Sequence, residues 1–151
     1  MSQSLSKVLL HIIFSTKNRF AFLNNINQQK RMQAYLARVF NDHNSAVIEV
    51  GGTEDHVHIL CFLSRNHAIS QILKKAKANS SSWAKSLGGK CMKFSWQAGY
   101  GVFSIHQSQI HPIRKYIQRQ AEHHRVKTFQ EEYLEILKEY QMPYDERYIW
   151  K

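Results

Sequence analysis

The sequence predicts an α+β fold: an antiparallel sheet of ferredoxin-like (split βαβ) type, with helices on one face and C-terminal helices that carry a tyrosine. Two observations predict it. Strand-like and helix-like segments alternate in the order strand, helix, strand, strand, helix, strand, helices, which is the order of the split βαβ arrangement. The chain has 151 residues, 43% of them hydrophobic, which suits one domain, 1–151, with its own core.

Each element of the first half of the chain follows from a local pattern. KVLLHIIFS (7–15) is rich in β-branched and aromatic side chains and is predicted to be the first strand. NQQKRMQAYLARVFNDH (27–43) repeats apolar side chains at helical spacing, and Asn27 is predicted to cap this helix. AVIEVGG (46–52) and HVHILCFL (56–63) are predicted to form an antiparallel hairpin, because the connection GGTED is of hairpin length.

The second half is predicted to continue with one more strand and three helices. A basic amphipathic helix is expected to end at Gly88 and Gly89, and Pro112 is expected near the first turn of the next helix. The last helix is acidic, and the end of the chain is expected to be loosely ordered. The predicted bounds are 68–89 for the basic helix, 92–106 for the strand, 108–124 for the helix with Pro112 and 129–140 for the acidic helix.

The charge distribution predicts a polyanionic partner. The net charge is +10, and from His56 to Ala121 the chain carries ten basic residues and no acidic one. A solvated surface usually mixes both signs, so this segment favours nucleic acid over a merely basic, soluble face. The side chains expected to contact phosphates are Lys17 and Arg19 in the first loop and, on the basic helix, Lys74, Lys75, Lys77 and Lys85.

The composition also argues against two classes of protein. No apolar run approaches the roughly 18 residues that cross a bilayer, so no membrane partner is expected. Cys61 and Cys91 are too few for a disulfide framework. A cytoplasmic, reduced protein is therefore predicted.

The segment EDHVHIL (54–60) raises the question of a metal site. His56 and His58 are two residues apart on a predicted strand, and strand side chains alternate with period two, so both are expected on one face. The chain has 9 histidines, so such a pair also arises by chance. A partly exposed strand face is therefore the simpler interpretation of the pair.

A metal held by two imidazoles needs a third ligand and a reacting group. Tyr116 and Gln120 are four residues apart in the predicted helix 108–124, and residues at that spacing are neighbours on one face. The carbonyl oxygen of Gln120 can complete a set of two nitrogens and one oxygen, which suits a hard or borderline divalent ion. By spacing alone, Tyr116 is also compatible with a core aromatic and Gln120 with a solvated helix residue.

Taken in order, these motifs resemble one family. DHVHIL followed by YIQRQAEHH, with FSTKNR near the start and WQAGYGVFS before the tyrosine helix, is similar to the HUH single-tyrosine transposases of small insertion sequences, the TnpA type. The likeness runs from about residue 7 to residue 140. It implies that His56, His58 and Gln120 are metal ligands, that Tyr116 is the nucleophile, and that the cofactor is a divalent metal, Mg²⁺ or Mn²⁺.

The resemblance also implies an activity and its partners. A transposase of this type cleaves and rejoins single-stranded DNA at the ends of its element through a 5′-phosphotyrosine intermediate, and it recognises imperfect hairpins there. The resemblance further implies a homodimer in which the tyrosine helix of one subunit serves the histidine pair of the other.

Three other functions fit parts of the pattern. A domesticated or inactive relative would bind hairpins or other nucleic acid without chemistry, yet Tyr116, His56, His58 and Gln120 are all present. An RNA-binding module would carry the aromatic consensus of ferredoxin-like RNA-recognition sheets, which HVHILCFL does not supply. A two-histidine phosphodiesterase would need a second such motif.

Overall fold

A four-stranded antiparallel sheet organises the chain, of which the computed structural model describes residues 2–151. Its strands are β1 (Leu9–Ser15), β2 (Val47–Gly52), β3 (His56–Phe62) and β4 (Gly101–Ser104), in the order β2-β3-β1-β4. All three neighbouring pairs are antiparallel. This order confirms the predicted ferredoxin-like arrangement.

Two helices, α1 (Ile26–Asp42) and α2 (Ile69–Lys85), cover one face of the sheet. Alternate side chains of β3, among them Val57 and Ile59, belong to the larger apolar core on this side. This face lies opposite the histidines, as the alternation of strand side chains predicts. The α1 cap differs from the prediction: the N–H of Asn27 donates to the side chain of Asn25, 2.7 Å away.

Three helices, α3 (Ile110–Gln118), α4 (Gln120–His123) and α5 (Phe129–Glu139), belong to the C-terminal part of the chain. Tyr116 lies on α3, so the expected C-terminal helices that carry the tyrosine are confirmed. A smaller apolar cluster joins α5 to the other face of the sheet; its buried members are Ile13, Phe103, Phe129, Ile136 and Leu137.

Three predicted elements differ from the structure. The basic helix predicted over 68–89 ends at Lys85 rather than at the glycines. The helix predicted over 108–124 is divided at Arg119, whose backbone leaves the helical region at φ −102° and ψ 19°. The strand predicted over 92–106 is confined to β4. Its first part begins in a short 3-10 helix, Gly89–Lys93, and pairs with the end of β1 only through an isolated bridge between Trp96 and Thr16. The ammonium of Lys77 binds the carbonyls of Gln97 and Gly99, at 2.7 and 2.9 Å.

The end of the chain packs against the second face, so the prediction of a loosely ordered end was wrong. Ile149 and Trp150 lie against the smaller apolar cluster. The side-chain amide of Gln97 also donates to the carbonyl of Ile149, 2.7 Å away. Among residues 2–151, no helix combines the length and the apolar character needed to span a bilayer.

Candidate active site

His56 and His58 lie on the face of β3 that the C-terminal helices cover. Both are 0% exposed, so the simpler interpretation of a partly exposed strand face was wrong. Their rings are 5.2 Å apart. The strand alternation thus brings both imidazoles to one enclosed place.

The Nδ1 atom of each histidine lies within hydrogen-bonding distance of a neighbouring side chain. His56 Nδ1 lies 2.8 Å from a carboxylate oxygen of Asp55 and 3.0 Å from the hydroxyl of Thr53. His58 Nδ1 lies 2.9 Å from Nε2 of His11. Such partners orient the ring and leave Nε2 free to face inward, as they do around histidines that bind metals.

The environment of His11 and His58 favours their neutral imidazole forms. Burial lowers the pKa of His11 to about 3, and burial also lowers the pKa of His58. Burial alone would raise the pKa of Asp55, but its hydrogen bond with His56 holds that pKa below the ordinary value. Asp55 is therefore a carboxylate that can accept the Nδ1 proton of His56.

Gln120 lies at the same place. Its Oε1 is 2.8 Å from Nε2 of His56, and the residue is 1% exposed, which excludes a solvated helix position. An amide oxygen and an imidazole nitrogen at this distance are both suitable ligands for a divalent metal ion.

Gly51 on β2 lets α3 approach the sheet closely. A Cβ atom added at Gly51 would lie 2.6 Å from the carbonyl oxygen of Ile117 and 2.8 Å from its Cγ2. Ile117 is 1% exposed and directly follows Tyr116. Only a glycine at this position therefore permits the observed placement of the tyrosine helix.

Tyr116 lies beside the histidines of its own chain. Its ring is 5.8 Å from the ring of His58, and its hydroxyl donates a hydrogen bond to the carboxylate of Glu132. Burial and this bond to Glu132 raise the pKa of Tyr116. The phenol is therefore protonated near neutral pH.

The sequence reasoning missed His11, Asp55 and Glu132, and of these Glu132, on α5, contacts the largest number of site residues. One of its oxygens lies 3.1 Å from Nε2 of His58 and 3.2 Å from Nε2 of His124. The other accepts from the side-chain amide of Gln120, 3.0 Å away. Burial would raise the pKa of Glu132, but its hydrogen bonds with His124 and His58 lower it, so Glu132 is ionised.

A sequence signal for Glu132 does exist. Phe129, Glu132 and Ile136 are all buried and are spaced three and four residues apart, which places them on one helix face. A carboxylate on the buried face of a helix needs partners. In this chain the partners are the histidines and Gln120.

The side chains that meet here fit a divalent metal ion. Ligand atoms of His56, His58 and Glu132 all lie within 4.8 Å of one another, and Gln120 Oε1 is 2.8 Å from His56 Nε2. Two ligands about 2.1 Å from an ion at a right angle are about 3 Å apart. Two nitrogens with oxygen donors suit magnesium less than softer ions but are compatible with both Mg²⁺ and Mn²⁺.

The basic side chains proposed for phosphate contact fall into two groups. Two of them are engaged within the chain: Lys77 with loop carbonyls, and Arg19, which donates to Gln97 Oε1 at 2.9 Å and to the Trp150 carbonyl at 3.1 Å. The others point to solvent, and these are Lys17, Lys74, Lys75 and Lys85.

A groove beside the loop that follows β1 combines basic and apolar side chains. Its volume is about 720 Å³, and Lys17, Lys90 and Lys93 are among its lining residues. Phe20 and Met92 line it as well, and they are 52% and 66% exposed. Such a groove offers charge to phosphates and apolar surface to bases.

Comparisons with known proteins give a family match in sequence and two similar folds among solved structures. Residues 4–120 match the family model described as "Transposase IS200 like". The fold is similar to that of a Deinococcus radiodurans protein assigned as a transposase, with a TM-score of 0.59 and 21% identity over 80% of this chain and 98% of the other. It is also similar to a REP-associated tyrosine transposase bound to a REP hairpin, with a TM-score of 0.60 and 17% identity over 82% and 74%. Among curated proteins, none matches this chain in sequence.

Proposed function

Because this chain belongs to the family of IS200-like transposases, we propose that it cleaves and rejoins single-stranded DNA at the ends of its element, with Tyr116 as the nucleophile. One observation carries the proposal: a tyrosine hydroxyl, two inward-facing imidazoles and an amide oxygen meet in one enclosed place. Each of these groups has a distinct task in phosphoryl transfer.

The tyrosine provides covalent catalysis. The Tyr116 oxygen attacks the scissile phosphorus and the bond to the 3′-oxygen breaks. The proton that the tyrosine oxygen loses is balanced by the proton that the departing 3′-oxygen gains. The products are a 5′-phosphotyrosine and a free 3′-hydroxyl. In the second step a 3′-hydroxyl attacks the same phosphorus and Tyr116 is released, so the number of phosphodiester bonds is conserved and no nucleotide cofactor is consumed.

His56, His58 and Gln120 are the proposed ligands of a divalent metal, Mg²⁺ or Mn²⁺. A bound ion supplies charge stabilisation at the scissile phosphate. The chain's own contribution is orientation: Asp55 and His11 hold the two imidazoles with Nε2 inward, at 2.8 and 2.9 Å.

The proposed substrate is a hairpin with a single-stranded flank. The similar REP-associated transposase is bound to a REP hairpin, and the exposed lysines of this chain can bind a phosphate backbone. The groove that contains Lys17, Phe20 and Met92 suits the flank, because unpaired bases stack on apolar side chains while lysines bind the phosphates.

The test of this function is a protein–DNA adduct. A strand taken from the DNA that flanks the gene, incubated with the protein and Mn²⁺, is expected to give a covalent adduct that Tyr116→Phe lacks. Tyr144→Phe is the matched control, since Tyr144 is 46% exposed in the C-terminal segment. An adduct in Tyr116→Phe would refute the nucleophile, and DNA binding without any adduct in the wild type would leave a hairpin-binding protein.

The proposal includes a homodimer, for which two arrangements of the active site are distinguishable. The resemblance implies sites assembled from two subunits, whereas the 5.8 Å between the Tyr116 and His58 rings of one chain favours a site completed within each subunit. Mixing His56→Ala with Tyr116→Phe protein separates them. Shared sites restore part of the cleavage, and self-contained sites leave the mixture inactive despite verified subunit exchange.

A further inference from the structure

Helix α5 closes the candidate active site. His56 and His58 are 0% exposed, Gln120 is 1% exposed and Glu132 is 2% exposed. A phosphate group of a DNA strand must touch both the metal ligands and Tyr116 to react. In this arrangement the phosphate cannot reach these groups, because the Glu132 carboxylate lies between Tyr116 and the proposed metal ligands.

The contacts of Glu132 are those that a scissile phosphate requires. One oxygen accepts from the hydroxyl of Tyr116 and from the amide of Gln120. The other lies 3.1 Å from Nε2 of His58 and 3.6 Å from Nε2 of His56. An anionic group with two oxygens, one toward the nucleophile and one toward the proposed metal ligands, therefore already occupies this place.

The cavity that leads to Tyr116 is lined by acidic side chains. A cavity of about 340 Å³ leads between α3 and α5 to the tyrosine, and Glu132, Glu135 and Glu139 of α5 line it together with Tyr116. These carboxylates repel a phosphate backbone, in contrast to the acid-free stretch 56–121. A DNA strand is therefore not expected to enter while α5 stays in this position.

We propose that Glu132 is a ligand of the metal in the DNA-free protein, and that the scissile phosphate replaces it when α5 withdraws. This inference rests on the proposed function. In the DNA-free protein the Glu132 carboxylate thus takes the place of the substrate phosphate. The contacts of α5 with the rest of the chain are compatible with its withdrawal. The helix is held by the smaller apolar cluster and follows a linker in which Val126 is 86% exposed.

The proposal predicts two opposite effects of Glu132→Gln, which keeps the size of the side chain and removes its charge. Mn²⁺ binding to the DNA-free protein, measured by calorimetry, should weaken by about tenfold because the site loses an anionic ligand. Affinity for a labelled hairpin with a single-stranded flank, measured in EDTA, should rise by about tenfold because the closed state is destabilised. Glu146→Gln, an exposed glutamate in the C-terminal segment, should change neither.

Other outcomes overturn the proposal. Loss of both affinities in Glu132→Gln would indicate a purely structural role, and unchanged affinities would exclude any role at the metal. Tighter DNA binding with slower adduct formation would mean that Glu132 stays in the site during the reaction, which contradicts its replacement by phosphate.

Hydrogen exchange on the unmodified full chain gives an independent test. Addition of the same hairpin should increase exchange of the α5 amides, residues 129–139, while α1 amides keep their protection. Unchanged protection of α5 with saturating DNA would exclude its withdrawal. The two proposals fail separately: a wild type that never forms an adduct refutes the transposase chemistry, whereas a normal adduct with a static α5 refutes only the replacement of Glu132.

Discussion

Replacing Gly51 by alanine tests whether the close approach of α3 to β2 sets the geometry of the site. The added Cβ would lie 2.6 Å from the Ile117 carbonyl oxygen, and that atom is backbone, so it cannot rotate away. The helix that carries Tyr116 must therefore recede from the sheet. Gly99 is the matched control, since a Cβ there has no heavy atom within 4 Å.

The size of the effect follows from the contact distance. Ordinary van der Waals contact begins at 3.4 Å, so α3 has to move by about 0.8 Å. Overpacking of this kind lowers the free energy of unfolding by about 1–3 kcal/mol. A displacement approaching 1 Å at a catalytic group slows the reaction by about 100-fold. Gly99→Ala should leave the free energy of unfolding unchanged or raise it by up to about 1 kcal/mol.

Denaturant unfolding and the rate of adduct formation measure the two effects. Gly51→Ala is expected to have a lower free energy of unfolding than the wild type. Under conditions where both proteins are folded, its rate of adduct formation is expected to be roughly 10- to 100-fold lower. If Gly51→Ala matched Gly99→Ala in both measurements, the close approach of α3 would not set the position of Tyr116.

Asp55→Asn should weaken Mn²⁺ binding by about 10- to 100-fold, because it removes the carboxylate that orients His56; wild-type affinity in calorimetry would contradict this. Burial lowers the pKa of Lys77 to about 8. Between about pH 8 and about pH 10, Lys77 is therefore protonated in the unfolded chain but largely neutral in the folded chain. The free energy of unfolding should consequently rise with pH over this range, relative to that of Lys77→Met. A flat or falling difference in denaturant titrations would refute that sign. Lys17→Ala should reduce the log–log salt slope of single-strand affinity by about 0.7, and an equal reduction by Arg38→Ala would point to generic charge.

Local patterns were sufficient for most of the fold. The β1 and β3 strands, the helix α1 and the acidic helix α5 lie within two residues of their predicted bounds, because each is marked by β-branched and aromatic composition or by an apolar period. The strand predicted over 92–106 was mostly wrong, since its first residues end a 3-10 helix and Trp96 forms only an isolated bridge with Thr16. That bridge depends on a partner 80 residues earlier in the chain, which no local pattern identifies.

The division of the helix over 108–124 was not predicted either. The backbone turns at Arg119, and Gln120 faces His56. Tyr116 and Gln120 are neighbours, as expected, although they do not lie on one unbroken helix. Their common neighbour is the buried carboxylate of Glu132.

The sequence by itself determined the histidine pair, because the two-residue period of a strand places His56 and His58 on one face whatever surrounds it. It also determined the family, through ordered motifs that are spread along the chain. Only the tertiary structure decided which groups meet that pair. His11 reaches it through the pairing of β1 with β3, and Glu132 through the packing of α5. Such contacts join residues 47 and 74 positions apart, and the free energy that selects them comes from burying whole surfaces, which no short stretch of sequence encodes.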